Sequence, residues 1–152
     1  MDFSDPDWTA GIIIRSADDP WLAQKESEYF RDRVQNLDTT GLFYLFQGGS
    51  AIERGQELRY VPRKIFQEYI QYFVGYLLSD LSTGDPDAPS VFIWLVKERE
   101  NRDPGCVTPI LHLISPCLEH ISQSQIRFDA DEEIYGNFPE QVATTLVYLQ
   151  GS

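Results

Sequence analysis

Apolar residues keep one unbroken helical period between residues 60 and 81, the longest such stretch in the chain. They recur every three or four positions, while Gln67 and Gln71 fall on the opposite side, as in an amphipathic helix. Pro62 suits the first turn, where a residue without an N–H loses no helical bond. We predict a core helix with a wide apolar face that contacts a sheet. Its central stripe holds Phe66, Tyr69, Ile70, Phe73, Leu77 and Leu81.

Shorter apolar runs elsewhere predict β-strands, because β-branched and aromatic residues cluster in them between turn formers. The predicted strands cover residues 11–15, 42–46, 90–98 and 107–114. The last run leaves an alternative open, in which Thr108 caps a helix and Pro109 lies in its first turn. Pro116 argues against one helix continuing to His120, since an interior proline loses a hydrogen bond and clashes with the preceding turn. We therefore favour a strand followed by a short helical turn.

Two further helices are expected to flank the core, one opened by Asp19 and Pro20 and one capped by Asn137. Residues 50–59 read as a polar connection, and the charged residues 99–105 as a solvent-exposed turn. The predicted fold is α/β, or α+β, with a three- to five-stranded mixed sheet packed against a long central helix and two flanking helices. Residues 9–152 would form a single globular domain behind a flexible N-terminal arm of residues 1–8.

The chain is strongly acidic, with 24 Asp and Glu against 12 Lys and Arg, a net charge of −12. Direct nucleic-acid binding is not expected, because phosphate contacts rest on clustered bases. After Asp103 the chain carries six acids and a single base, Arg127. The longest apolar run is too short to cross a bilayer, and the acidic N-terminus does not resemble a signal peptide. These features predict a cytoplasmic protein that does not contact membranes.

All cysteines and histidines lie in one window, Cys106, His112, Cys117 and His120. Four such ligands match the number that zinc requires, but the C-x2-4-C knuckle of structural zinc sites is absent. A second hypothesis makes Cys117 a nucleophile with His120 beside it at i and i+3. The interpretation that we favour is structural, with two packed, reduced thiols.

No G-x-S-x-G elbow or H-E-x-x-H pair occurs in the chain. We therefore predict a non-enzymatic acidic interaction protein, a small regulator, adaptor or inhibitor that needs no cofactor and binds a protein with a basic surface. The oligomeric state is left open. One alternative is a nucleic-acid mimic that inhibits a nuclease or a DNA-binding protein, and another is a small enzyme or metal-binding domain that uses the Cys/His window. The predicted partner contacts are Asp129, Asp131, Glu132, Glu133, Trp8 and Trp21.

Overall fold

The structure, a computed structural model, describes Trp8 and residues 11–151, and its regular elements in that part of the chain are helices. The α-helices are α1 (Pro20–Val34), α2 (Thr39–Phe43), α3 (Ala51–Leu58), α4 (Arg63–Leu78), α5 (Asp87–Arg102), α6 (Leu111–Gln123), α7 (Glu132–Tyr135) and α8 (Phe138–Gln150). Two short 3-10 helices span Asp80–Ser82 and Thr108–Ile110.

The predicted α/β class and mixed sheet are wrong, because the described residues contain no strand. The clearest error is residues 90–98, which lie inside α5. This helix is buried along much of its circumference, with Phe92, Ile93, Leu95 and Val96 all in the core. A helix surrounded by other helices carries a nearly continuous apolar run, which periodicity alone does not separate from a buried strand.

Two other predicted strands are also absent. Residues 11–15 are irregular, and Ile13 N–H donates one bond to the Tyr60 carbonyl at 2.9 Å. Residues 42–46 form the end of α2 and the turns after it. Helix α2 begins at Thr39 because the Asp38 carboxylate accepts the Gly41 N–H at 2.8 Å, which satisfies a donor that the first turn leaves free.

The fourth predicted strand, residues 107–114, is a 3-10 turn leading into α6, and α6 continues through Pro116. The alternative of a helical start near Thr108 and Pro109 was closer to the observed structure. The exposed proline removes one hydrogen bond, but the opposite face of α6 buries Ile114, Cys117, Leu118 and Ile121. Burial of that apolar face outweighs the lost bond.

The predicted core helix is confirmed as α4, which buries Phe66, Tyr69, Ile70, Phe73 and Leu77. Its apolar face contacts helices α2, α5 and α6 instead of a sheet. Leu81 lies beyond its end and is 43% exposed.

Both flanking helices are confirmed with their caps. The Asp19 carboxylate accepts backbone N–H groups at the start of α1, and the Asn137 side chain accepts the Glu140 N–H at 3.0 Å at the start of α8. The predicted polar connection 50–59 is wrong, because it contains α3 with five buried positions. Helix α3 packs so closely on α5 that a Cβ added at Gly55 would lie 2.5 Å from Val91 Cγ1.

Helix α5 joins the two halves of the packing. It contacts α3, which in turn packs against α1, and it contacts α8, which in turn packs against α6. Trp8 packs into the same core, with its ring centroid 6.4 Å from those of Phe30 and Tyr69. The rest of the predicted N-terminal arm, residues 1–7, lies outside the described residues, so the domain boundary stays a prediction.

Candidate functional site

The described part of the chain carries an open groove of about 800 Å³ between α5 and α8. One wall is formed by α5 and the other by α8, and Tyr135 at the end of α7 closes one end. The lining residues are Ser90, Ile93, Trp94, Lys97, Glu98, Asn101, Tyr135, Glu140, Gln141, Thr144, Thr145 and Tyr148. We call this feature the α5/α8 groove.

Two hydrogen bonds show how the walls are aligned. Tyr135 Oη donates to Asp87 Oδ1 at 2.8 Å, at the start of α5. Tyr148 Oη donates to Asn101 Oδ1 at 3.3 Å, near the end of the same helix. Helices α5 and α8 therefore run in the same direction along the groove. The hydrogen bond to Asp87 also raises the pKa of Tyr135.

Aromatic rings are spaced along the groove. Trp94, on α5, is 37% exposed, and Tyr135 and Tyr148 are half-buried at the two ends. The guanidinium carbon of Arg59 lies 5.8 Å from the Trp94 ring centroid, and the Lys97 ammonium lies 5.5 Å from that of Tyr148. These cation–π contacts hold the Trp94 and Tyr148 rings in place.

The Tyr135 end of the groove is acidic. Glu140 lies on the groove wall and is exposed. The predicted partner contacts Asp129, Asp131, Glu132 and Glu133 are exposed on α7 and the turn before it. We call these four residues the acidic cluster. The structure thus places the cluster in the chain segment that leads directly to the groove.

Two members of the acidic cluster also support local structure. The Asp131 carboxylate accepts the Glu133 N–H at 2.9 Å and caps α7. Glu132 Oε1 accepts a hydrogen bond from Asn137 Nδ2 at 2.8 Å. Substitutions here therefore test binding and local order together, and Glu140 is the cleaner probe of charge alone.

The two tryptophans predicted as partner contacts differ. Trp8 is only 2% exposed and belongs to the core, so it offers no surface to a partner. Trp21 is 64% exposed on α1, with the Lys25 ammonium 5.9 Å from its ring centroid. The structure does not bring Trp21 to the groove lining, and its role as a contact stays a prediction.

The side of α5 facing away from the groove carries buried charges. The prediction that residues 99–105 form a solvent-exposed turn is therefore wrong for Arg99, Glu100 and Arg102. Arg99 is fully buried, and its Nη1 donates to the carbonyls of Leu58 at 3.0 Å and Val61 at 2.6 Å. These acceptors lie at and just beyond the C-terminus of α3, where carbonyl groups lack helical partners. Arg99 therefore fastens α3 to α5.

Glu100 is the second buried charge, at 1% exposure. Its carboxylate accepts N–H bonds from Gly105 at 2.6 Å, Val107 at 2.8 Å and Thr108 at 3.2 Å. Bonds to an ionised acceptor are stronger than neutral ones. Glu100 thus holds the turn that leads from α5 to α6.

Arg102 ties the N-terminal segment to the same helix. It forms an ion pair with Asp18, and its guanidinium carbon lies 5.0 Å from the ring centroid of Tyr60. Burial raises the pKa of Asp18, but the hydrogen bonds from Arg102 and from the Arg15 N–H outweigh it and lower the pKa overall. The three buried charges fix α5 in position, and with it one wall of the groove.

The residues of the Cys/His window are not arranged as a metal site in the described part of the chain. Cys106 and Cys117 are fully buried, His112 is exposed, and His120 contacts Arg127 at 3.1 Å. Burial raises the pKa of both thiols. Within Trp8 and residues 11–151, no three or more His, Cys, Asp or Glu side chains are arranged to hold a metal ion.

Sequence analysis missed the groove because residues 90–98 were assigned to a strand. Placed on a helix, Ser90, Trp94, Lys97 and Asn101 fall on one face at spacings of three and four. That face is polar and aromatic, whereas Phe92, Leu95 and Val96 on the same helix are apolar and buried. The signal was present in the sequence and only appears once the helical period is used.

No protein-family model matches the chain, and comparison with curated proteins and solved structures gave no significant match. The class is therefore defined by the fold and groove alone, as a helical protein with an open interhelical groove. None of the helices in the described ranges is long and apolar enough to cross a membrane.

Proposed function

We propose that this chain is a non-enzymatic interaction protein, a regulator, adaptor or inhibitor, that binds a segment of another protein in the α5/α8 groove. The observation that carries the proposal is the line of three partly open rings, Tyr135, Trp94 and Tyr148, along an open groove of about 800 Å³. Tyr and Trp are the residues most enriched at interface hot spots, because they combine large apolar area with a polar group.

The charge of the molecule supports a partner with a basic surface. The net charge is −12, and most of the arginines are engaged by acids of the same chain, as in the pairs Arg63 with Asp103 and Arg127 with Asp80. Glu140 is exposed on the groove wall, and the acidic cluster is exposed in the chain segment that leads to Tyr135. Complementary fields of this kind speed association and are weakened by salt.

The alternatives receive less support. A nucleophilic role for Cys117 needs an accessible thiolate, whereas this thiol is fully buried and its burial raises its pKa. The nucleic-acid mimic rests only on exposed acids, which a basic protein partner explains equally well. It stays a prediction, as does the cytoplasmic location.

Site-specific photo-crosslinking tests the proposal. A photoreactive residue is placed at Thr144, exposed on the groove wall, or at Gln71, exposed on α4 outside the groove. In extracts of the source organism, we expect a defined protein adduct at position 144 and none at position 71. Excess unlabelled wild-type chain should abolish the adduct, whereas excess Trp94→Ala, shown by circular dichroism to be folded, should not.

The same adducts at both positions, or an adduct that both competitors remove equally, would show that the groove is not the binding surface. An adduct at position 144 that excess Trp94→Ala removes as well as the wild-type chain does would therefore count against the proposal.

A further inference from the structure

We infer that the segment held in the α5/α8 groove is a basic amphipathic helix of about three turns, with its basic residues at the Tyr135 end. This inference rests on the proposed function and specifies the chemistry of the partner.

The described walls of the groove offer a bound segment no backbone groups with which to pair. Both long walls of the groove are helices, whose interior N–H and C=O groups are already paired within each helix. A bound segment finds no strand edge to extend among the described residues, so it has to satisfy its own backbone groups. A helix does this through its internal hydrogen bonds.

The length and shape of the groove match a short helix. The α5 wall runs from Ser90 to Asn101, eleven residue steps, which correspond to about 16 Å or three helical turns. The walls are two helices running in the same direction, and the groove between such helices is the surface into which the side-chain ridges of a third helix pack. A partner helix with apolar residues at i, i+4, i+7 and i+11 spans the same distance of about 16 Å and places apolar side chains along all three rings.

The two ends of the groove differ in charge. The Tyr135 end carries Glu140 on the wall, and the acidic cluster lies on α7 and in the turn before it. The Tyr148 end carries Lys97, the neutral Asn101 and Glu98, whose negative charge is balanced by ion pairs with Arg59 at 3.4 Å and Arg102 at 3.5 Å. The groove is therefore electrostatically asymmetric, and a helix with Lys or Arg at one end fits it in one placement only.

Three synthetic peptides of fourteen residues test the inference. The first is an Ala-based helix with Leu at positions i, i+4, i+7 and i+11 and three lysines in one end turn. The second replaces those lysines by glutamates. The third has the sequence of the first with two internal alanines replaced by prolines, which prevents a helix and favours the polyproline II conformation. Binding is measured by fluorescence anisotropy at low and high salt.

We expect the basic helix alone to bind, with an affinity that falls as salt is added. Trp94→Ala should weaken it on the order of tenfold and Glu140→Gln about twofold to fivefold, both folds being checked by thermal melting. Glu68→Gln removes the same charge from an exposed position on α4, outside the groove, and should leave binding unchanged.

Equal binding of the acidic peptide, tighter binding of the proline peptide, or no binding that depends on Trp94 would each overturn the helix inference. The proposed function stands separately, because the crosslink at Thr144 reports on any protein segment in the groove. Loss of that crosslink would remove both proposals.

Discussion

Glu100→Gln gives the sharpest test of how the buried charges hold this fold together. The substitution keeps the size of the side chain but removes the negative charge and replaces one acceptor oxygen by an NH₂ donor. In the native chain that carboxylate accepts three backbone N–H groups, from Gly105, Val107 and Thr108. At least one of these N–H groups faces another donor in the variant.

The expected cost follows from the exposure of each donor. Val107 is fully buried, so its orphaned N–H costs about 1–3 kcal/mol. The charge-assisted bond from half-buried Gly105 contributes about 1.5–3 kcal/mol. Thr108 is exposed, so water replaces its lost bond. Glutamine keeps one oxygen, so one of these two N–H groups retains an acceptor, and the expected total is about 1.5–3 kcal/mol out of the about 5–15 kcal/mol that stabilises a typical domain.

Urea unfolding followed by circular dichroism at 25 °C measures this difference. Glu119→Gln, at an exposed position on α6, is the matched control and should change stability by less than about 0.5 kcal/mol. A Glu100→Gln variant within about 1 kcal/mol of the wild type would refute the assignment of Glu100 as a buried anchor of the turn. Amide exchange at Val107 gives an independent check, because its protection should fall in the variant.

Three further outcomes are expected. Gly55→Ala should destabilise the protein by about 1–3 kcal/mol, because the new methyl group meets Val91. Gly75→Ala has nothing within 4 Å of its new methyl group and should stabilise the protein by about 0.5–1 kcal/mol. Equal effects of the two substitutions in urea unfolding would contradict the close packing of α3 on α5. Asp103→Asn should lower stability at pH 7, because the ion pair described above lowers the pKa of Asp103. The deficit should start to shrink as pH falls below about 4, the ordinary pKa of an Asp carboxyl, and should disappear once pH is below the lowered pKa. A deficit that does not change as pH falls from 7 would argue against the ion pair. Cys117 should resist thiol reagents until denaturant unfolds the chain, and rapid reaction of the native protein would show that the thiol is not buried.

The sequence predicted the elements in which local and global signals agree. In α4 the apolar residues keep a helical period on one face, and the polar residues between them exclude a strand. Asp19 before α1 and Asn137 before α8 are capping residues whose side chains form the expected bonds. Such signals depend only on neighbours along the chain, so they survive whatever the tertiary structure is.

The sheet was mispredicted because tertiary packing overrides composition in α5. Val91, Phe92 and Ile93 favour a strand by propensity, but a helix surrounded by α3, α4, α6 and α8 also needs apolar residues on most sides. The helical period of α5 continues into residues 99–102, where Arg99 and Glu100 occupy buried positions. Because charged residues are rarely buried without partners, the charges of residues 99–105 predict a solvent-exposed turn instead.

The sequence predicted that the acidic cluster is exposed, while its role as a partner contact stays a prediction. The exposure of the acidic cluster follows from its four acids within five positions, which a core does not accommodate without cations. The groove depends on the parallel placement of α5 and α8, whose sequences lie far apart, and periodicity within one helix carries no information about that placement. Trp8 illustrates the same limit, since its burial depends on contacts with Phe30 and Tyr69.

Chemical-shift mapping with the basic helical peptide tests the central claim most directly. The ¹⁵N-labelled chain is titrated with the peptide, and shifts are followed for backbone amides and for the tryptophan indoles. We predict that the largest changes fall on the indole of Trp94 and on the amides of Thr144 and Tyr148, with little change at the indole of Trp21 on α1. Shifts centred on Trp21, or spread evenly over the surface, would contradict the α5/α8 groove as the binding site.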